Sequence, residues 1–218
     1  MRFWIIIIVG VALFLASWGL RAAFSPAREA VSALSEESGS GLPSPPPDGF
    51  RRIISLSPGL TETLFAVGAG DRVVGVTRFC QWPPEARQRA VVGGFLDPNY
   101  EAMVGLHPDL VVLMPSHREH QKELKRLNIP TAIVDQTNLT DILHSVDQLG
   151  TLTGHEKEAA ALRKQMESRI EAVRRRTASL PHPRVLLSSG RDLKSESLNE
   201  VYIVGRRTFL GDLLRLAG

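Results

Sequence analysis

Short apolar segments alternate with amphipathic segments between residues 52 and 152, and this alternation constrains the fold more than any other feature. Strands are predicted at 52–56, 73–76, 109–114 and 131–134. Helices are predicted at 61–67, 83–89, 99–106, 117–127 and 140–152, with Ser57-Pro58-Gly59 as a turn. This spacing is typical of a parallel sheet with helices on both faces. We therefore predict an α/β, Rossmann-like N-terminal lobe over residues 51–153.

The pattern changes after Gly154, where residues 156–180 predict one long, mostly polar helix that ends before Pro181. We interpret 154–182 as a backbone helix that connects two α/β units, because no clean heptad supports the coiled-coil alternative. A strand at 184–188 and a helix at 208–216 then predict the start of a C-terminal lobe over 183–218. Only 35 residues, 184–218, are available for it, so the sequence predicts an incomplete second α/β lobe.

The N-terminus carries an uncharged apolar run at residues 3–20, flanked by Arg2 and Arg21. The run is long for a signal-peptide core and just long enough to cross a bilayer. We expect residues 1–24 to be a signal or membrane anchor helix, with an uncleaved anchor slightly favoured, and the remainder to be exported. Residues 25–50 are rich in Pro, Ser and Gly, which predicts an extended linker.

Charge and cysteine content exclude several classes of function. The net charge is +3 and the basic residues are scattered apart from Arg174–Arg176, which predicts no nucleic-acid partner. The single Cys80 excludes a disulfide framework and a four-thiolate zinc site. His117 and His120 could present two imidazoles from one helix face, but no third ligand is indicated, so we expect no protein-bound metal and no cofactor.

Nucleotide-dependent and hydrolytic enzymes are also disfavoured. Gly68-Ala69-Gly70 follows a predicted helix rather than a strand and lacks the third glycine of a dinucleotide fingerprint. No phosphate-binding loop or nucleophile elbow is present in the sequence. We expect a protein that is not an enzyme.

Eight short segments, in order over about 165 residues, carry a resemblance to a known family. They are Arg52-Ile53-Ile54-Ser55-Leu56-Ser57-Pro58, Thr61-Glu62, Val74-Gly75-Val76-Thr77, Trp82-Pro83-Pro84, Val92-Gly93-Gly94, Asn99-Tyr100-Glu101, His107-Pro108-Asp109-Leu110-Val111 and Gly211–Gly218. With these segments the chain resembles the periplasmic substrate-binding proteins of ABC importers for vitamin B12 and iron siderophores, whose two lobes are joined by a helical backbone. The resemblance covers everything except the N-terminal anchor and linker.

The resemblance implies a ligand cleft between two lobes, without chemistry on the ligand. Loops that follow the strands of the first lobe are expected to face that cleft. The residues that we expect to bind ligand are Ser57, Pro58, Phe79, Trp82, Phe95, Met114 and His117, with Gln81 and Ser116 in the same loops. Aromatic rings suit a flat or bulky chelate. Core packing is the alternative for Phe79 and Phe95, and Met114 stands where an aromatic ring would favour vitamin B12.

Glu101 has a separate role in the resemblance, because a surface glutamate at this position pairs with arginines of the membrane permease. The alternative is that an acid in the first turn of a helix favours the helix dipole without any partner. The expected function is the solute-binding component of an ABC importer, which captures cobalamin or an iron chelate and presents it to the permease. A membrane-anchored, single-lobe interaction module without transport activity remains the alternative.

Overall fold

The computed structural model describes residues 42–191 and 201–218. The predicted anchor helix and most of the predicted linker lie outside these residues. In the described part, no helix is long and apolar enough to cross a membrane.

Five parallel strands form the central sheet, in the order β3-β2-β1-β4-β5. They are β1 Ile53–Ser55, β2 Val73–Val76, β3 Ala90–Val91, β4 Leu110–Leu113 and β5 Thr131–Ile133. β1 lies at the centre, with Ile54 paired to Gly75 of β2 on one side and to Val111 of β4 on the other. The predicted α/β class and parallel sheet are confirmed, and the two-residue edge strand β3 is an addition to the prediction.

Helices cover both faces of this sheet. The α-helices of this part are α1 Pro58–Ala66, α2 Tyr100–Gly105, α3 Arg118–Arg126 and α4 Leu139–Thr153. One apolar cluster joins the sheet to α1 and α4 through Leu60, Leu64, Val146 and Leu149. A second cluster on the opposite face joins it to α2 and α3 through Met103 and Leu124. Burial on both faces explains why the strands are continuous apolar runs.

Three short 3₁₀ helices complete this part, at Gly70–Arg72, Pro84–Gln88 and Pro115–His117. The predicted turn at Ser57-Pro58-Gly59 is wrong, because Pro58 and Gly59 are the first residues of α1. Proline suits this position, since its ring fixes a helical φ and the first helical amides need no partner within the helix. Ser57 is the extended residue before the helix.

The Asp109 side chain fixes the start of β1 beside the start of β4. Its two carboxylate oxygens accept hydrogen bonds from the backbone N–H groups of Arg51 and Arg52, each at 2.8 Å. The Arg52 guanidinium in turn donates to the carbonyls of Leu106 and His107 at the end of α2. The His-Pro-Asp segment that carries part of the family resemblance therefore has a structural role, because it joins the amino ends of β1 and β4 by hydrogen bonds.

A long helix, α5, extends over Glu156–Thr177 and packs against α4. Gly154 ends α4 with a φ of 66°, a conformation that glycine adopts without strain. A Cβ built on Gly150 of α4 would lie 2.4 Å from the Cβ of Ala159 on α5. The helices can therefore approach closely only because position 150 is glycine. Arg163 of α5 also pairs with Asp147 of α4 and with Glu167.

After α5 the described chain forms two antiparallel strands, β6 Ser188–Arg191 and β7 Val201–Ile203, followed by α6 Phe209–Ala217. The strand predicted at 184–188 is displaced, because the backbone pairs with β7 only from Ser188 onward. Helix α6 contacts the N-terminus of α4. The Asp212 carboxylate accepts a hydrogen bond from Leu139 N–H at 2.9 Å, and Phe209 N–H donates to Thr137 O at 2.8 Å.

Candidate functional site

The strand order creates a natural site at the carboxyl ends of the central strands. β2 and β3 lie on one side of β1, whereas β4 and β5 lie on the other. The connections after β1 and β4 therefore diverge, and such a switch point is where open α/β sheets bind ligands. Ser57 and Pro58 follow β1, and Met114 and His117 follow β4. Four of the seven predicted ligand-binding residues thus lie at the switch point.

A buried polar network fixes the loops that leave β1 and β2. The Thr61 hydroxyl lies 2.9 Å from Ser55 Oγ, 3.0 Å from Ser57 O and 3.2 Å from Cys80 Sγ. Thr77 Oγ1 also lies 3.2 Å from Cys80 Sγ. Because buried polar groups are costly unless they are paired, this network holds both loops in place. Sequence reasoning missed this role of Thr61 and Cys80.

Phe79 and Trp82 extend into solvent from the loop after β2. Their exposed fractions are 54% and 61%, so the core-packing alternative for Phe79 is wrong. The Arg78 guanidinium lies 5.4 Å from the centre of the Phe79 ring. Large exposed rings next to a switch point are a surface on which an apolar ligand can be buried.

Trp82 also lines a lateral cavity of about 450 Å³ between α1 and the 3₁₀ helix Pro84–Gln88. The other walls include Phe65 and two exposed carboxylates, Glu62 and Glu85. This cavity was not predictable from local sequence patterns, because its residues come from segments about twenty positions apart. Trp82 therefore borders two different surfaces.

Phe95 and His117 lie against each other at the edge of the sheet. Their ring centres are 4.2 Å apart, with planes inclined by 58°. Phe95 is half-buried and His117 fully buried. Next to them, Tyr100 Oη lies 2.7 Å from His120 Nδ1, and the two imidazole centres are 5.9 Å apart. The structure therefore brings two predicted ligand-binding residues into direct contact, and adds Tyr100 to their surroundings.

The His117 ring is held in one tautomer. Its Nδ1 accepts a hydrogen bond from Met114 N–H at 3.1 Å, so a neutral ring carries its proton on Nε2. Nε2 is buried and makes no hydrogen bond of normal geometry to any described residue. Burial lowers the pKa of His117 below 6.5, the charge of His120 lowers it further, and the Phe95 backbone raises it in part. His117 is therefore neutral at neutral pH.

Glu101 is exposed in the first turn of α2, where Asn99 caps the helix by accepting a hydrogen bond from Ala102 N–H. No ion pair of Glu101 occurs among residues 42–191 and 201–218. The carboxylate is therefore available to a partner. The favourable position at the helix N-terminus explains its presence equally well.

A group of three or more His, Cys, Asp or Glu side chains suited to a metal ion does not occur in the part of the chain that the structure describes. His117 and His120 approach each other, as their spacing predicts, without a third such side chain. The described site consists of aromatic rings, a buried imidazole and loop backbone. Aromatic rings with a few polar groups are typical of sites that bind organic molecules.

An open parallel sheet with aromatic loops at its carboxyl edge, followed by a long helix, defines the class of α/β solute-binding lobes. The chain belongs to the periplasmic binding protein family, which it matches over residues 53–218. It is 29% identical to an uncharacterized ABC transporter substrate-binding lipoprotein, YvrC, of Bacillus subtilis, over 76% of this chain and 53% of that protein. It is also 29% identical to a vitamin B12-binding protein of Yersinia pestis, over 69% of this chain and 58% of that protein. The chain thus spans little more than half the length of these relatives.

Solved structures with this fold include several binding proteins. A periplasmic heme-binding protein from Pseudomonas aeruginosa superposes with a TM-score of 0.69 at 23% identity, over 78% of this chain and 61% of that one. The heme-binding protein RhuT from Roseiflexus gives 0.68 at 26% identity, over 78% and 65%. The vitamin B12-binding protein BtuF of Vibrio cholerae gives 0.66 at 22% identity, over 78% and 64%.

Proposed function

We propose that this protein is the solute-binding component of an ABC importer and that its ligand is a corrinoid or an iron chelate such as heme or a siderophore. Family membership supports the general role. Relatives and structural neighbours that are named as vitamin B12-binding or heme-binding proteins support the ligand class. The described residues add a physical reason for that class.

The observation that carries the proposal is the set of aromatic rings on loops at the carboxyl edge of the sheet. Phe79 and Trp82 are more than half exposed, and Phe95 is half-buried beside His117. Each aromatic side chain can bury 150–250 Å² or so, and about 25 cal/mol is gained per Å² of apolar surface removed from water. Rings that are exposed without ligand are suited to cover a large, flat, conjugated molecule.

Ligand capture requires a second wall opposite this surface. In our proposal, residues 51–153 are the first lobe, 154–182 are the backbone helix, and 183–218 belong to a second lobe. Ser57, Pro58, Phe79, Trp82, Phe95 and Met114 contribute the first wall, and His117 lies buried behind Phe95. Closure of the two lobes would then bury the ligand between them.

Delivery to a permease requires a docking surface outside the cytoplasm. We assign Glu101 to this role, because an unpaired exposed carboxylate can form a bidentate pair with arginine and orient the docked protein. The names of the relatives, a lipoprotein and periplasmic binding proteins, support an extracytoplasmic location. Residues 3–20 are the segment that we propose directs or anchors the chain there.

Tryptophan fluorescence tests the proposal directly. The full chain is titrated with cyanocobalamin, hemin and a ferric hydroxamate, and at least one should change the emission of Trp82 and saturate. The other tryptophans, Trp4 and Trp18, precede the described residues. A Trp82→Phe variant is therefore the control, and its signal should be lost while calorimetry still detects binding. Absence of saturable binding to all three ligands would contradict the proposal.

A further inference from the structure

The Phe95–His117 pair has an inner and an outer member. The His117 imidazole is fully buried, whereas the Phe95 ring is only partly buried and lies 4.2 Å away, centre to centre. Phe95 belongs to the loop after β3, and His117 to the 3₁₀ helix after β4. These strands are not neighbours in the sheet. The ring contact therefore links two loops that the sheet itself does not connect.

The nitrogen atoms of His117 are poorly placed for coordinating a metal. A metal ligand must offer a nitrogen lone pair, but the Nδ1 lone pair faces Met114 N–H at 3.1 Å. The proton of the neutral ring then lies on Nε2. Coordination through Nε2 would move that proton to Nδ1. The Nδ1–H and the Met114 N–H would then point at each other, and two donors in this arrangement repel. The local backbone geometry thus favours a histidine that supports its neighbour over one that binds iron.

The neighbouring Tyr100 is equally unsuited to be a metal ligand. Burial raises the pKa of Tyr100, and the charge of Glu123 raises it further. The phenol therefore keeps its proton, and it lies 2.7 Å from His120 Nδ1. Met114 packs against the core cluster on the α1 and α4 face. The other ring nitrogen of His120, Nε2, remains a candidate metal ligand at this edge, and the variant His120→Asn tests it.

We propose that His117 is a positioning residue, which holds the Phe95 ring at the ligand surface, and that the described site recognises the organic ring of its ligand independently of the metal. The proposal rests on the proposed function, because it assumes a macrocyclic or chelate ligand. It adds a prediction about which ligands the site can distinguish. The surface formed by these described residues should not distinguish a metal complex from its metal-free counterpart, nor one axial ligand of a corrinoid from another.

Paired ligands provide the first test, with calorimetry on the full chain. One pair is hemin and metal-free protoporphyrin IX. The other is aquocobalamin, whose bound water a histidine can replace, and cyanocobalamin, whose cyanide is held tightly. We expect the dissociation constants within each bound pair to agree within about threefold, since ring stacking depends little on the metal. The visible absorption bands of bound hemin and aquocobalamin should show no histidine coordination.

Variants provide the second test, because they separate the two functions of the His117 ring. His117→Asn keeps an acceptor for Met114 N–H but removes the surface behind Phe95. It should weaken both ligands of a pair equally, by about 3- to 10-fold, the range associated with one aromatic contact. His117→Phe keeps the supporting ring and should retain most of the affinity, although the unpaired Met114 N–H lowers its stability. His144→Asn, at an exposed position of α4, is the matched control and should bind as the unmodified protein does.

The double variant distinguishes positioning from general damage. Phe95→Ala should itself weaken binding, and His117→Asn should then add less than twofold, because its effect acts through Phe95. Two results would overturn the proposal. They are a full His117→Asn effect in the Phe95→Ala background, or a preference for the metal complex of more than about tenfold. If that preference is found, its loss in His120→Asn would assign the metal coordination to His120. If no ligand of either pair binds, the proposed function fails and this inference fails with it.

Discussion

At the scale of single residues, the loop that carries Phe95 depends on backbone that only glycine tolerates. Gly93 has a φ of 100°, and a Cβ at this position would lie 2.5 Å from Asp97 O and 2.8 Å from Asn99 N. Gly94 N–H donates to Asp97 O, and Asn99 N–H donates to Val92 O. The loop is therefore closed by its own backbone, and Gly93 lies where it turns.

Gly93→Ala should destabilise the protein by about 1–3 kcal/mol, because the added Cβ meets backbone and the φ is strained. Gly105→Ala is the matched control, since it lies in α2 and a Cβ there meets nothing within 4 Å. That control should be neutral or stabilising by up to about 1 kcal/mol. Urea unfolding measures both. Equal stability of the two variants would contradict the described loop geometry.

His117 predicts a pH dependence of stability. Its folded-state pKa is lowered by burial and by His120, so the unfolded chain binds a proton at higher pH than the folded chain does. The stability contribution of the neutral ring is complete above about pH 6.5 and decreases as the pH falls from there toward the lower, folded-state pKa. In urea unfolding at a series of pH values, His117→Asn should show a smaller decrease over this window. His144→Asn should keep the decrease. An unchanged profile for His117→Asn would contradict the assignment of this pH dependence to His117.

At the scale of elements, the sequence predicted those helices and strands whose pattern lies within their own residues. β1, β2, β4 and β5 and helices α1 to α6 follow from periodicity, because buried strands and amphipathic helices leave patterns in their own residues. Helix α1 begins at Pro58, three residues before its predicted start. β3 is only two residues long, and the strand expected at 184–188 is displaced to Ser188–Arg191. Strand limits depend on the partner strand, which local sequence does not specify.

The candidate site divides in the same way. The positions of Phe79, Trp82 and Phe95 in loops after strands could be predicted, because loops after parallel strands share one edge, and their role in ligand binding stays a prediction. The Phe95–His117 contact, the Thr61–Cys80 network and the Trp82 cavity could not, because each joins segments far apart in the chain. Such contacts depend on how the loops cross the sheet edge.

The junction between α4 and α5 gives a prediction at this scale. Gly150→Ala would place two Cβ atoms 2.4 Å apart at Ala159, so the helices must separate, at a cost of about 1–3 kcal/mol. Ala159→Gly alone should cost about 1 kcal/mol through lower helix propensity. The double variant, which exchanges the two residues, should recover most of the Gly150→Ala loss, as measured by thermal unfolding. Additive losses would show that the two positions are not in contact.

At the scale of the whole molecule, the proposed role separates ligand capture from docking. The rings that we propose to contact ligand occupy loops after β2 and β3, whereas Glu101 is exposed in the first turn of α2. A variant that changes docking should therefore leave ligand affinity intact. Glu156, an exposed acid in the first turn of α5, offers a control with the same helix-dipole contribution.

Glu101→Arg should weaken binding of the full chain to permease-containing vesicles by at least tenfold, because it replaces an attraction to arginine by a repulsion. Glu156→Arg should change that binding little, although both variants lose an acid near a helix N-terminus. Surface-immobilised vesicles measure docking, and calorimetry with the ligand identified above measures capture. Equal behaviour of the two variants would leave the helix dipole as the role of Glu101.

Because α5 is long, a small change in its tilt at one end would give a larger displacement at the other end. Its 22 residues extend about 33 Å at 1.5 Å per residue. Thr177 lies about 27 Å along the axis from Ala159, so a tilt of about 5° at Ala159 would displace Thr177 by roughly 2.4 Å. Thr177 Oγ1 donates a hydrogen bond to Leu216 O of α6 at 2.7 Å. The tilt of α5 is therefore restrained at Thr177 by this bond and near Ala159 by packing against Gly150. In the proposed two-lobe cleft, the separation of the lobes would therefore depend on the contact between the Ala159 methyl group and Gly150, far from the residues that we propose to contact ligand.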